Sequence, residues 1–188
     1  MMILFEKKGI ENTIEALNMA INEAIKRDTD LVLATTTGYS AIEAMKLKKE
    51  KGMTQNIIVV SHAYGFRNPG ENTLKDETRK ELEDNGIVVV TASHVLSGIE
   101  RGINNRYQGS YPALIMADTL RMFSQGIKVC VEISVMALDA GKIKHGKPVV
   151  CVGGTGRGTD TIAIVSPAHA NHILDTKIHE IIAMPSTY

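Results

Sequence analysis

The sequence is short of cysteine and aromatic residues, and it carries no surplus of either charge. Among 188 residues the only cysteines are Cys130 and Cys151, each set in an apolar run. Cysteines in such runs read as small buried hydrophobes, and without a cysteine framework nothing argues for a secreted protein. No apolar run approaches the roughly 20 residues of a membrane span. The stretch from Met1 to Lys8 is too short for a signal peptide, and nothing there resembles a cleavage site. A cytoplasmic protein with no membrane partner is expected. The 21 basic and 21 acidic residues cancel and form no dense basic stripe, which disfavours nucleic acid as a partner. A small ligand or a protein partner remains.

What is present alternates between two periods. Ile14, Leu17, Ile21, Ala24 and Ile25 predict a helix over 11–27, and Leu31 to Ala34 a buried strand. Ser40 to Lys51 reads as helix, and 56–61 as strand. A third helix is capped by Asn72 or Thr73, carries Asp76 and Glu77 in its first turn, and ends at Asn85-Gly86. Ile87 to Val90 follows as a strand. Pro112–Ser124 and Ile127–Ala140 are helical and divided by Gly126, and 149–152, 162–165 and 178–184 are further strands. Strands separated by helices predict a three-layer α/β fold with a mostly parallel sheet, the last two strands forming an antiparallel edge. The chain, 1–188, reads as one domain with no linker or repeat. Residues 94–111 read as an irregular loop, of a length that more often marks function or an interface than a plain connection.

Ligands of open α/β sheets bind beyond the carboxyl ends of the strands. Those ends here read Thr35-Thr36-Thr37-Gly38-Tyr39-Ser40, then His62 to Arg67, then Ser93-His94, then Gly153-Gly154-Thr155-Gly156-Arg157-Gly158-Thr159. All four carry hydroxyl, imidazole or glycine. The first offers four hydroxyls, a glycine and the free amides of a helix N-terminus, which is what a phosphate needs; such a run can also simply cap a helix. The glycine-rich loop allows close approach to a ligand, and Arg157 adds a charge, although a tight turn between strands would need the same glycines.

Other motifs are weaker. Gly141 to Lys147 has the spacing of a P-loop, but Pro148 occupies the Ser/Thr position and a strand follows. His169, His172, Asp175 and His179 match no zinc pattern, and no metal is expected. Ser61-His62 and Ser93-His94 are strand neighbours whose side chains point to opposite faces, and no nucleophile elbow exists. His62 and His94 could meet in the crevice and act as acid or base.

Leu33 to Ala41 is similar to the segment of the pyruvate kinase C-terminal domain that cradles a phosphate of its sugar bisphosphate activator. The helix from Glu11, the run from Ile127 through the Gly141–Lys147 turn to Gly154, and Gly156 to Ile164 resemble successive parts of that domain in order. The resemblance implies a pyruvate kinase C-terminal domain-like fold, a five-stranded, mostly parallel sheet with one antiparallel strand. Tyr39 stands where the kinase segment usually has arginine, and 94–111 looks inserted. The catalytic barrel is missing, so the resemblance implies a stand-alone domain without pyruvate kinase activity.

The expected ligand is a phosphorylated small molecule. Tyr64, Phe66, Tyr107 and Tyr111 are half of the five tyrosines and three phenylalanines, and all lie in segments read as loops. A flat ring with a phosphate tail suits them, which favours flavin mononucleotide (FMN). The alternatives are an enzyme acting on a phosphorylated metabolite, or a flavin-dependent oxidoreductase, with His62 or His94 as acid or base. Leu114, Met116, Leu120, Met122 and Phe123 make the 112–124 helix apolar round more than one face, which fits a homo-oligomer contact or full burial.

Overall fold

A computed structural model, which describes residues 2–187, turns those apolar runs into one seven-stranded sheet with helices on both faces. The strands are β1 (Ile3–Phe5), β2 (Leu31–Thr35), β3 (Ile57–Ser61), β4 (Val88–Thr91), β5 (Val149–Gly153), β6 (Thr161–Ser166) and β7 (Lys177–Pro185). Their order is β1-β7-β6-β5-β2-β3-β4. Only β6 opposes its neighbours; every other pairing is parallel. The helices are α1 (Thr13–Arg27), α2 (Tyr39–Glu50), α3 (Asp76–Asp84), α4 (Ile99–Tyr107), α5 (Pro112–Arg121) and α6 (Gln125–Asp139).

Strand alternation separates the two cores. Leu31 and Leu33 of β2, with Ile57 and Val59 of β3, face α1, α2 and α3 through Leu17, Ile21, Ala41, Met45 and Leu82. Val32, Ile58 and Cys151 face α6 on the other side. Leu17 and Ile21 are fully buried, and each such side chain contributes about 1.5–3 kcal/mol relative to an exposed one. Among the described residues, no helix is long and apolar enough to cross a membrane.

Several expectations are corrected. The resemblance implies five strands and the apolar runs six; the sheet has seven, because β7, read at 178–184, pairs beyond β6 and β1 joins it at the edge. The antiparallel strand therefore lies third from that edge, in the interior. The 94–111 segment holds α4, whose glycines and polar residues hid it, and none of its nine residues is buried. Asn72 does not cap α3. Lys75 occupies the N-cap, and Asn72 instead accepts from the Leu74 amide at 2.8 Å and donates to the His62 carbonyl at 2.8 Å. The break between α5 and α6 falls at Ser124, whose Oγ accepts from the Ile127 amide at 3.0 Å, and Gly126 lies inside α6. Full burial of α5 also fails: it buries only Ala117, and Ile115 is exposed.

Gly126 is set by packing. A Cβ there would lie 2.0 Å from Thr161 Oγ1 and 2.3 Å from Thr161 Cβ, so α6 meets β6 only through glycine. Gly126→Ala is expected to lose about 1–3 kcal/mol, the usual range for overpacking. Urea unfolding would show a lower midpoint at unchanged slope; an unchanged midpoint would refute the close approach.

Candidate functional site

Strand register builds the site. Thr35 pairs with Ser61, and Ser61 with Thr91, so β2, β3 and β4 end level with one another. The residues that follow, Thr36, His62 and His94, therefore project from one rim of the sheet. They line a crevice of about 770 Å³, within the roughly 300–1,000 Å³ of small-molecule sites.

The loop from Thr35 to Ser40 is held from within. Thr35 Oγ1 accepts from the Gly38 amide at 3.1 Å and from Ser40 Oγ at 3.3 Å, while Ser40 Oγ also donates to the Ala34 carbonyl at 3.1 Å. Thr35 and Ser40 are buried, whereas Thr37 and Tyr39 are exposed and Thr36 half-buried. Gly38 is the N-cap of α2 and has no side chain to cap the first turn. The two inner hydroxyls thus shape the turn, while at the crevice Thr36 meets His62 and Thr37 is exposed.

Around the crevice, Gly154, Gly156, Arg157 and Gly158 contribute from the loop after β5. Much of that loop is structural. Asp160, fully buried, accepts from the amides of Gly9 and Thr155 at 3.0 and 3.1 Å, and from Thr161 Oγ1 at 2.7 Å. A Cβ at Gly158 would lie 2.6 Å from Ile10 Cα, and one at Gly154 2.5 Å from the Gly158 carbonyl oxygen. The loop is thus folded onto itself and onto the turn preceding α1.

Not every expected residue reaches the crevice. Gly38, Tyr64, Gly153, Thr155 and Thr159 are outside its lining. Tyr64 is 56% exposed, and Thr159 is fully buried. Of the loop aromatics, none of Tyr64, Phe66, Tyr107 and Tyr111 is in that lining. Phe66 stacks on His62, centroids 3.9 Å apart and rings 5° from parallel. Tyr107 closes α4 and does not lie in a loop.

His62 and His94 do meet. Nδ1 of His62 lies 3.3 Å from Nε2 of His94, and Nε2 of His62 lies 3.3 Å from Thr36 Oγ1. Burial first, then the neighbouring His94 and Arg67, push His62 down to about 4. Burial lowers His94 as well, against the pull of Glu132. Both rings are neutral at pH 7. The thiols of Cys130 and Cys151 are fully buried and pushed up by that burial, which leaves them unreactive.

Sequence reasoning missed the wall opposite the loops. Gln125, Val129, Glu132, Ile133 and Met136 of α6 line the crevice, together with Thr73, while Arg67 joins them from the strand-end loop already read in the sequence. A signal was present: Lys128 and Glu132 stand four apart in an otherwise apolar helical run, where charge has no reason to be unless it is paired. Among the described residues, no group of three or more His, Cys, Asp or Glu side chains is arranged to hold a metal.

The stretch that builds this crevice runs from the turn before α1 through the glycine-rich loop into β6. Residues 11–165, the same stretch, match the family model of the pyruvate kinase alpha/beta domain, leaving out β1 and β7. The chain therefore belongs to the pyruvate kinase alpha/beta domain family.

Proposed function

We propose that the crevice binds a phosphorylated small molecule in the cytoplasm, its phosphate at the 35–40 loop, with FMN the favoured occupant. The observation that carries this is the N-terminus of α2. It opens on the crevice rim with glycine as N-cap, no side chain among the described residues accepts from its first turn, and Thr36 and Thr37 stand beside it. Arg67 and Arg157, both in the lining, add positive charge.

The donor set fits the phosphate of FMN, and the apolar wall of Val129, Ile133 and Met136 fits a flat ring system. With the other loop aromatics elsewhere, the ring partner on this reading is Tyr39, 42% exposed at the rim. FMN bound there would supply hydride and electron transfer.

The test is an absorption spectrum of freshly purified protein, mass spectrometry of what heat releases, and a melting curve with added FMN. Ligand at a hundred times its dissociation constant stabilises by about 2.7 kcal/mol, which raises Tm by roughly 5–10 °C in a chain of this size. A colourless protein that releases another phosphate compound keeps the site and discards the flavin. No release, and no shift with FMN, nucleotides or sugar phosphates, would end the phosphate reading.

A further inference from the structure

One line of hydrogen bonds runs from the crevice into the interior. It passes from Thr36 Oγ1 to His62 Nε2, from His62 Nδ1 to His94 Nε2, and from His94 Nδ1 to Ser97 Oγ, each step 3.3 Å. Ser97 Oγ then donates to Glu132 Oε1 at 3.1 Å. The same oxygen accepts from the Leu96 amide at 2.9 Å, and Oε2 is bonded by Lys128 Nζ. Lys128 also reaches Ser97 Oγ at 3.4 Å.

Only one end of this line has a forced role. Burial alone would raise the Glu132 carboxyl, but Lys128 beside it and the bonds it accepts outweigh burial and hold it below the usual carboxylate range. An ionised carboxylate accepts and cannot donate. The Ser97 proton therefore points at Glu132, leaving the Ser97 lone pairs for Lys128 and His94. His94 must then carry its proton on Nδ1, and its Nε2 accepts. His62 in turn carries its proton on Nδ1 and turns the Nε2 lone pair to the crevice, where the Thr36 hydroxyl donates to it.

We propose that His62 Nε2 is a general base for a hydroxyl of the molecule held in the crevice, with His94, Ser97 and Glu132 as positioning residues that fix its tautomer. In the step, the Thr36 hydroxyl turns from Nε2 to the substrate oxygen, the substrate O–H bond breaks, an N–H bond forms at Nε2, and the electron pair stays on the substrate oxygen, where the Thr36 hydroxyl now donates. The imidazolium so formed donates through His94 and Ser97 toward the Glu132 carboxylate. Nothing is oxidised or reduced. The proposal rests on the ligand reading only for the identity of that hydroxyl, since the tautomers belong to the protein alone.

The charged groups facing the ring pair are Arg67, Arg101, Lys128 and Glu132. Burial first, and then the three cations among these four, hold the rings neutral. A phosphate anion beside them would raise His62 toward neutral pH, where a base works best.

Long-range proton–nitrogen spectra of the full chain, without ligand, test the tautomers. Both rings should be protonated at Nδ1 and bare at Nε2, with His62 neutral down to about pH 4. Ser97→Ala should move His94, and then His62, toward Nε2–H, while Ser97→Thr should keep the native tautomers. His62 protonated at Nε2 in the native chain, or unchanged tautomers in a folded Ser97→Ala, would overturn the proposal. If Ser97→Ala does not fold, His94→Leu carries the same test through loss of the acceptor for His62 Nδ1. Diethyl pyrocarbonate, which acylates bare imidazole nitrogen, tests the base itself. His62 should react in the native chain and several-fold more slowly in Ser97→Ala; equal rates would count against it. None of these outcomes depends on whether FMN binds.

Discussion

Glu132→Leu is expected to be among the most damaging single substitutions in the chain, costing about 3–5 kcal/mol, because it leaves a buried cation without its partner. Glu132 and Lys128 are 5% and 3% exposed in α6, a helix whose other residues from 126 to 138 are mostly apolar. A pair so placed gives up hydration on both sides, and its mutual attraction only roughly offsets that loss. Removing both charges should therefore cost less than removing one. Lys128→Met/Glu132→Leu is expected to recover most of the loss. A residual deficit of about 1–3 kcal/mol should remain, because the Leu96 amide donates to Glu132 and would lose its acceptor. Urea unfolding of the native chain, the single and the double variants closes the cycle. A double variant no more stable than Glu132→Leu would mean that the lost hydrogen bonds, not the orphaned charge, dominate. Acid acts in the same direction. The folded Glu132 value lies below 4.5, so its contribution is intact above pH 4.5 and drains as pH falls through the lower folded value.

Gly38→Ala is the second large effect, and its cost has two separable parts. Gly38 has φ 102°, a conformation that costs a residue with Cβ about 1–2 kcal/mol. A Cβ there would also lie 2.5 Å from Thr78 Cγ2 and 3.1 Å from Leu74 Cδ1, an overpacking worth about 1–3 kcal/mol. Together these predict a loss of about 2–4 kcal/mol, once Thr78 and Leu74 yield a little. Thr78→Ser deletes the clashing methyl, so Gly38→Ala/Thr78→Ser should recover the packing share and leave the backbone strain. Full recovery in the double variant would show that φ carries no strain, and a native midpoint for Gly38→Ala would sink both parts. On the proposed reading, in which the first turn of α2 holds a phosphate, Gly38→Ala is also expected to weaken FMN binding beyond what stability explains.

Much of the fold was legible because each feature is local. The runs at Leu31, Ile57, Val88, Val149 and Ile162 are short and continuously apolar, as strands covered on both faces must be, and Leu17, Ile21 and Ala24 keep helical period. β1 was not legible, since three residues carry no periodicity and two of them are exposed. α4 was hidden by the glycines at 98 and 102, and it buries nothing that would betray a face. The division between α5 and α6 was misplaced because Gly126 looks like a breaker, yet it is there to let α6 approach Thr161.

The sequence by itself determined the chemistry available at the strand ends: hydroxyls and glycine after β2, an imidazole after β3 and another after β4. A residue's type and its place after a strand are local properties, written in order along the chain. Tertiary structure alone decided which of them touch. Thr36, His62, His94, Ser97 and Glu132 span nearly a hundred residues and become one hydrogen-bonded line because β2, β3 and β4 pair in a register that ends them level, while α6 crosses the same face. Register and crossover are set by the packing of whole strands and helices, a long-range property that no short stretch of residues encodes.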